Sequence, residues 1–227
     1  MTAWARISCV AESHARDLAR RRMVVGMLVV LPAVMYLSVL GEEARIPPGE
    51  NPFTLRVGII GVAWAVGGAA FFLGLASRRV DERLILAGYR PEDLAFGRLG
   101  FLAALALPIA GIYGALIVTL SRGDAGPVLL AVVTTSVVAL ALGLAISVVL
   151  PRELEGVLAL VAVNGIQTSI PAGSAIGPAL PFYGPTRLVD IAWGSSGSLL
   201  APLLHAAVAV TVLSVTFIVL WRRRLAA

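Results

Sequence analysis

Long apolar stretches set the plan of this chain, and the polar residues gather in the breaks between them. Six apolar runs are expected to form helices, at about 23–40, 54–76, 99–120, 127–150, 156–170 and 199–221. A helix needs about 20 mostly apolar residues to cross the hydrocarbon core of a bilayer. The run at 156–170 is short for that; the others approach or exceed it. Ahead of the first run, Trp4, Ile7, Ala11, His14 and Leu18 recur at three- and four-residue spacing, with Arg6, Glu12, Arg16 and Arg20 on the other side. Residues 1–22 therefore predict an amphipathic helix lying in the headgroup plane, with Arg20, Arg21 and Arg22 marking the boundary to the first span. A solvated leader helix is the alternative.

One polar break is too long and too patterned for a simple turn. Residues 77–98, SRRVDERLILAGYRPEDLAFGR, set Arg78, Arg79, Arg83, Arg90 and Arg98 beside Asp81, Glu82, Glu92 and Asp93. Leu84, Ile85, Leu86 and Ala87 form a short helical pattern, closed by Gly88 and then Pro91, a helix stop signal. The pattern predicts a brief helix at the membrane face, where another protein can grip it. Both charge signs in a compact insert suit a specific protein contact, whereas a uniform basic strip would suit lipid headgroups. A charged loop that merely fixes topology is the bland alternative.

Within the spans the polar residues are few. Pro32 and Pro108 are tolerable where neighbours satisfy the freed carbonyls. Gly67, Gly68 and Gly74 allow close helix approach, as do Gly100, Ala104, Gly111 and Gly114 in the third span. Thr134, Thr135 and Ser136 suit hydroxyl bonds to backbone or to a neighbouring helix. Asn164, Gln167 and Thr168 share roughly one face of the fifth span. Amides are costly in hydrocarbon, so these face protein or water, and they fit either a transport path or hydrogen bonds between helices. Residues 171–198 are rich in Gly and Pro and carry only Arg187 and Asp190 as charges. Backbone broken so often cannot face lipid, and a water-exposed loop would be more polar, so a re-entrant or interfacial segment is expected. Phe182, Tyr183 and Trp193 would form its interfacial belt, and Arg187 and Asp190 are spaced to pair.

Composition then excludes whole classes of function. Of the 227 residues, 59% are hydrophobic and 14% charged, against roughly a quarter charged in soluble domains. The chain is an integral membrane protein. Its net charge of +5 is no nucleic-acid footprint, because the arginines flank the apolar runs. Every one of the 18 basic residues is Arg, so no P-loop lysine exists and any ATP hydrolysis belongs to another polypeptide. The single Cys9 forms no internal disulfide and reads as a small apolar filler. His14 and His205 stand far apart, without metal-ligand spacing, and His205 reads as an interfacial or packing residue. No cleavable signal peptide is evident, and the bias towards Ala, Gly, Val and Arg suggests a bacterial genome rich in GC.

Six spans put 14 arginines on one side, shared among residues 1–22, the insert, the 151–155 turn and the 222–227 basic tail. The other side holds four: Arg45, Arg56, Arg122 and Arg187. The positive-inside rule then predicts both termini and the insert in the cytoplasm of a multi-pass plasma-membrane protein. The expected fold class is an all-α polytopic membrane protein. Its single six-helix transmembrane domain spans 23–221, with the N-terminal interfacial helix ahead of it, the cytosolic helix between spans 2 and 3, and the outer re-entrant segment between spans 5 and 6.

This layout resembles the membrane subunit of type-2 ABC exporters, the ABC-2 permease family, over essentially the whole chain. The residues that carry the likeness are DERLILAGYRPEDLAFGR (81–98), similar to the family's insert, and PALPFYGPTRLV (178–189), similar to its Pro-spaced outer hairpin. The resemblance implies a half-transporter. Two permease chains, identical or related, would pair, each docking a separate cytosolic ATPase that carries ATP and Mg; this chain would bind no cofactor of its own. Residues 81–90 would be the coupling helix. Asp81, Glu82 and Arg83 would set docking orientation, while Leu84, Ala87, Gly88, Tyr89 and Arg90 would complete the contact. Asn164, Gln167 and Thr168 would be candidates for the substrate path, and the cargo a hydrophobic or amphipathic molecule such as a drug, antibiotic or lipid. The first outer loop is short for the family, so no large external domain would handle substrate. A secondary carrier or passive channel is the alternative function, although no Asp or Glu falls inside the six runs for ion coupling.

Overall fold

The computed structural model describes residues 3–20, 22–43, 53–121, 123–150, 152–170 and 174–226. Among them every regular element is helical. In chain order these are α1 (Ala3–Arg20), α2 (Arg22–Glu43), α3 (Phe53–Ala76), α4 (Arg78–Leu86), α5 (Pro91–Leu120), α6 (Ala125–Val149), α7 (Glu153–Ser169), a 3₁₀ turn (Gly177–Ala179), α8 (Tyr183–Ala192) and α9 (Leu200–Ala226). The expected outer loop with Arg45 and Glu50 lies outside the described residues, as do Arg21, Arg122, Pro151 and residues 171–173.

Among the described residues four helices, α3, α5, α6 and α9, are long and apolar enough to cross a membrane. The α1–α2 pair, bent by 91°, passes the same test when taken together. The expected count of six is therefore met directly at four of its positions. The 17 residues of α7 rise only about 26 Å, short of a core about 30 Å thick. Helix α2 is uncharged from Met23 to Gly41, between Arg22 and Glu42.

Small residues hold the centre of the bundle together. Helices α3 and α6 cross where Gly67 meets the Ala139 carbonyl and where Gly143 lies directly on the Gly67 carbonyl, leaving no room for a Cβ. Further along, Gly74 rests on Ser147, and Phe71 fills the space beside Gly156 of α7. Gly68, expected to serve the same purpose, has nothing within 4 Å of where a Cβ would stand. Hydroxyls bond back to their own helix: Thr134 to Leu130 O at 2.6 Å and Ser136 to Val132 O at 2.9 Å. Near Pro32, whose missing N–H frees the Leu28 carbonyl, the Tyr113 hydroxyl donates to the neighbouring Val29 carbonyl.

The two ends of the bundle are distinct. At one end lie α4, the first turns of α5, the C-terminus of α6 and the last turns of α9. At the other end, the Asp190 carboxylate of α8 is buried between Arg56 of α3 (2.6 Å) and Arg187 (3.1 Å). The Arg187–Asp190 pair is as expected, and Arg56 makes it a three-membered clamp. The interfacial belt needs correction at Phe182, which is buried in the core. His205 is a packing residue: its Nδ1 accepts from Gly184 N (3.2 Å), so Nε2 carries the proton and donates to Pro178 O (2.8 Å).

The α3–α6 crossing yields a direct test. Gly143→Ala must push two backbones apart and is expected to cost about 1–3 kcal/mol, whereas Gly68→Ala is expected to be neutral or slightly stabilising. Thermal unfolding in detergent separates them; equal midpoints would show that this crossing is not close-packed.

Candidate functional site

The insert is a two-faced helix on a fixed mount. Its end is built as the sequence predicts: Gly88 adopts φ +88°, Gly88 N bonds to Ile85 O (2.9 Å) and Tyr89 N to Leu84 O (3.0 Å). That is a Schellman stop, in which glycine takes the left-handed conformation that other residues avoid. Pro91 then sits in the first turn of α5, with Glu92 and Asp93 beside it. The expected boundary of the insert is corrected here. Residues 91–98 are not loop but the opening turns of α5, since Pro at the first position and early acids are helix-start features. The expected tail at 222–227 is likewise the continuation of α9, helical as far as 226.

One face of α4 is locked into the bundle. Arg78 reaches the C-terminus of α6, where its guanidinium donates to the Ser147 carbonyl and, at 3.3 Å, to the Leu150 carbonyl. Burial, followed by the nearby positive charge of Arg224, holds the Arg78 pKa below its ordinary value. One turn on, Asp81 is 2% exposed and pairs with Arg98, itself 1% exposed, at 2.5 Å. The indole N–H of Trp221 donates to the same carboxylate oxygen at 3.2 Å. The Arg98 guanidinium lies 5.9 Å from the Phe217 ring and 5.8 Å from the Trp221 ring, cation–π distances that partly offset its lost hydration. Its Nε finds no hydrogen-bond partner among the described residues.

The other face is open. Val80, Glu82, Arg83, Leu86, Ala87 and Arg90 are exposed, and Leu86 is 88% exposed. Leu84 and Tyr89 are half-buried and Gly88 is exposed at the turn. Of the expected docking residues, Asp81 is therefore corrected: a buried carboxylate bonded to Arg98 and Trp221 orients the helix and offers nothing to a partner. Leu86 and Val80, which sequence reasoning passed over, belong to the open face. Their signal was available, since Leu86 follows Glu82 and Arg83 at helical spacing.

Helix α1 packs against the start of α5. Val10 and the Ile7 carbonyl press on Gly97, and Arg6 pairs with Asp93 at 2.5 Å. His14 and Leu18 of the expected apolar face are buried, Val10 joins them, and Trp4 is 77% exposed. Cys9 is exposed rather than filling a core. Its hydrogen bond with Tyr89 is the main cause that raises the Tyr89 phenol pKa, so α1 also touches the insert's end. His14 lies by Phe101, ring centroids 6.2 Å apart. Burial, with help from the Arg98 charge and against Asp17, lowers its pKa to about 4.

The candidate path residues are enclosed. Asn164 and Gln167 are 1% and 6% exposed, and Asn164 Nδ2 bonds to Leu160 O of its own helix at 2.8 Å. Neither lines an open conduit in this structure; the side chain of Thr168 lies outside the described residues. No family model matches the chain, and no curated protein matches it.

Two tests follow from this geometry. Asp81→Ala strands a buried guanidinium and is expected to cost about 3–5 kcal/mol, while Asp81→Leu with Arg98→Met is expected to recover most of it. Thermal unfolding of the three proteins decides, and an Asp81→Ala protein as stable as wild type would refute the buried pair. Because His14 must be neutral to stay packed, its contribution is complete above pH 6.5 and is lost as pH falls towards about 4, by up to about 3 kcal/mol. The midpoint should therefore fall between pH 7 and pH 5 in wild type and fall less in His14→Phe. An equal fall in both would show that α1 does not depend on neutral His14.

Proposed function

We propose that this chain is the membrane subunit of an ATP-driven exporter of the ABC-2 kind, energised by a separate cytosolic ATPase that docks on the open face of α4. The observation that carries this is the two-sidedness of α4. One face is tied through Arg78, Asp81 and Arg98 to three long helices, and the other presents Leu86 between charges of both signs. A partner that pushes on the open face would move α5, α6 and α9 together, which is what a coupling element needs. A helix that only fixed topology would need no such mount.

In this reading α2 and α7 complete six spans, α1 lies along the cytoplasmic surface, and α8 with the preceding 3₁₀ turn forms the outer re-entrant hairpin. Glu82, Arg83 and Arg90 orient the ATPase while Leu86 and Ala87 supply buried area, Leu86 being the central anchor. A second permease chain pairs with this one. Since Asn164 and Gln167 are enclosed, a hydrophobic or amphipathic cargo passes along the seam between the two chains, which the alternating-access cycle opens.

Leu86→Asp should weaken association with the cognate ATPase by about 30-fold or more, the loss of an anchor worth about 2 kcal/mol. Its membrane insertion and thermal midpoint should stay at wild-type values, because Leu86 touches little else. Co-purification and ATP-dependent transport in proteoliposomes measure both. Undiminished association and transport would remove the docking role from α4.

A further inference from the structure

Where α1 turns into α2, the two helices and α5 leave a crevice of about 720 Å³. Its walls are apolar, formed among others by Leu18, Val25, Val29, Phe101 and Leu105, and among the described residues its one charged lining residue is Arg22. We propose that this elbow is a binding site for an anionic glycerophospholipid from the leaflet at the α4 end of the bundle. Its phosphate sits on Arg22 and an acyl chain runs down α2 past Gly26.

Three observations support this occupant. The first is depth. From Arg22 to Val30 the helix descends about 12 Å, close to the acyl thickness of one leaflet of a core about 30 Å across. The crevice therefore begins at the headgroup level and ends near the midplane, as a lipid chain does. The second is space: a Cβ on Gly26 would meet nothing within 4 Å, so no described residue fills the floor of the crevice. The third is charge. Arg22 is exposed and has no acidic partner among the described residues, and Arg20 is exposed nearby at the end of α1. A guanidinium matches phosphate oxygens with two parallel hydrogen bonds, and near an anionic surface each such charge adds attraction. The site is independent of the transport reading, since it requires only that the apolar helices lie in a bilayer.

The test uses the full chain reconstituted in vesicles of equal parts phosphatidylglycerol and phosphatidylcholine, with retained lipids counted by native mass spectrometry. Wild type should retain phosphatidylglycerol about tenfold over phosphatidylcholine. Arg22→Gln should lower that preference to about one, Arg22→Lys should keep part of it, and Gly26→Leu should reduce retention of both lipids. Equal retention of the two lipids by wild type, or a preference that survives Arg22→Gln, would overturn the proposal. So would a disulfide between two Gly26→Cys chains in a Cys9→Ser background, which would show that a second copy fills the crevice.

Discussion

A guanidinium cannot stay inside an apolar bundle without an opposite charge close by, and Arg98 is the residue that imposes this condition. Isolated burial of such a charge costs many kcal/mol, so its neighbours are not free to vary. Asp81 supplies the counter-charge, Trp221 a donor to the same carboxylate, and Phe217 and Trp221 supply ring faces. Once Asp81 is fixed by this need, the rotation of α4 about its own axis is fixed as well. Arg78, one turn earlier, is brought over the free carbonyls at the end of α6, and Glu82, Arg83 and Leu86 are turned outward. The exposure of the face proposed for docking is thus a consequence of burial on the opposite side.

The far end of the bundle uses the same device with different parts. There Asp190 is the buried group, and Arg56 and Arg187 close over it, joining α8 to the start of α3. Between the two ends the helices rely on glycine contacts, on hydroxyls bonded to their own backbone, and on the Tyr113 hydroxyl bonded across to the Val29 carbonyl. Buried ion pairs are concentrated at the two ends of the bundle.

Much of this was legible in the chain, and what was not has identifiable causes. The short helix ending at Gly88 followed from local backbone chemistry, because glycine and proline act within a few residues. The beginning of α5 at Pro91 is also written locally, in Pro91, Glu92 and Asp93. The burial of Asp81 was not readable. Its partners lie 17 and 140 residues away, and nothing in the local pattern distinguishes it from Glu82 beside it. The shared face of Asn164 and Gln167 was correctly seen as needing shelter, yet periodicity alone could not say that the shelter is the chain's own interior. The face of α1 is legible at His14 and Leu18, which are buried; contact with Gly97 adds Val10 to it, and Trp4 at its start lies outside the packed part.

The indole of Trp221 also gives the molecule a built-in order of assembly. A chain emerging from the ribosome makes α4 and α5 before α9, so the Asp81 and Arg98 charges can meet while α9 is still unmade. Until α9 arrives, the guanidinium lacks both aromatic faces and the carboxylate lacks its second donor. The mount of α4 is therefore finished by a residue made 140 positions after Asp81, and a product that stops short of α9 would present only a loosely held version of the same surface.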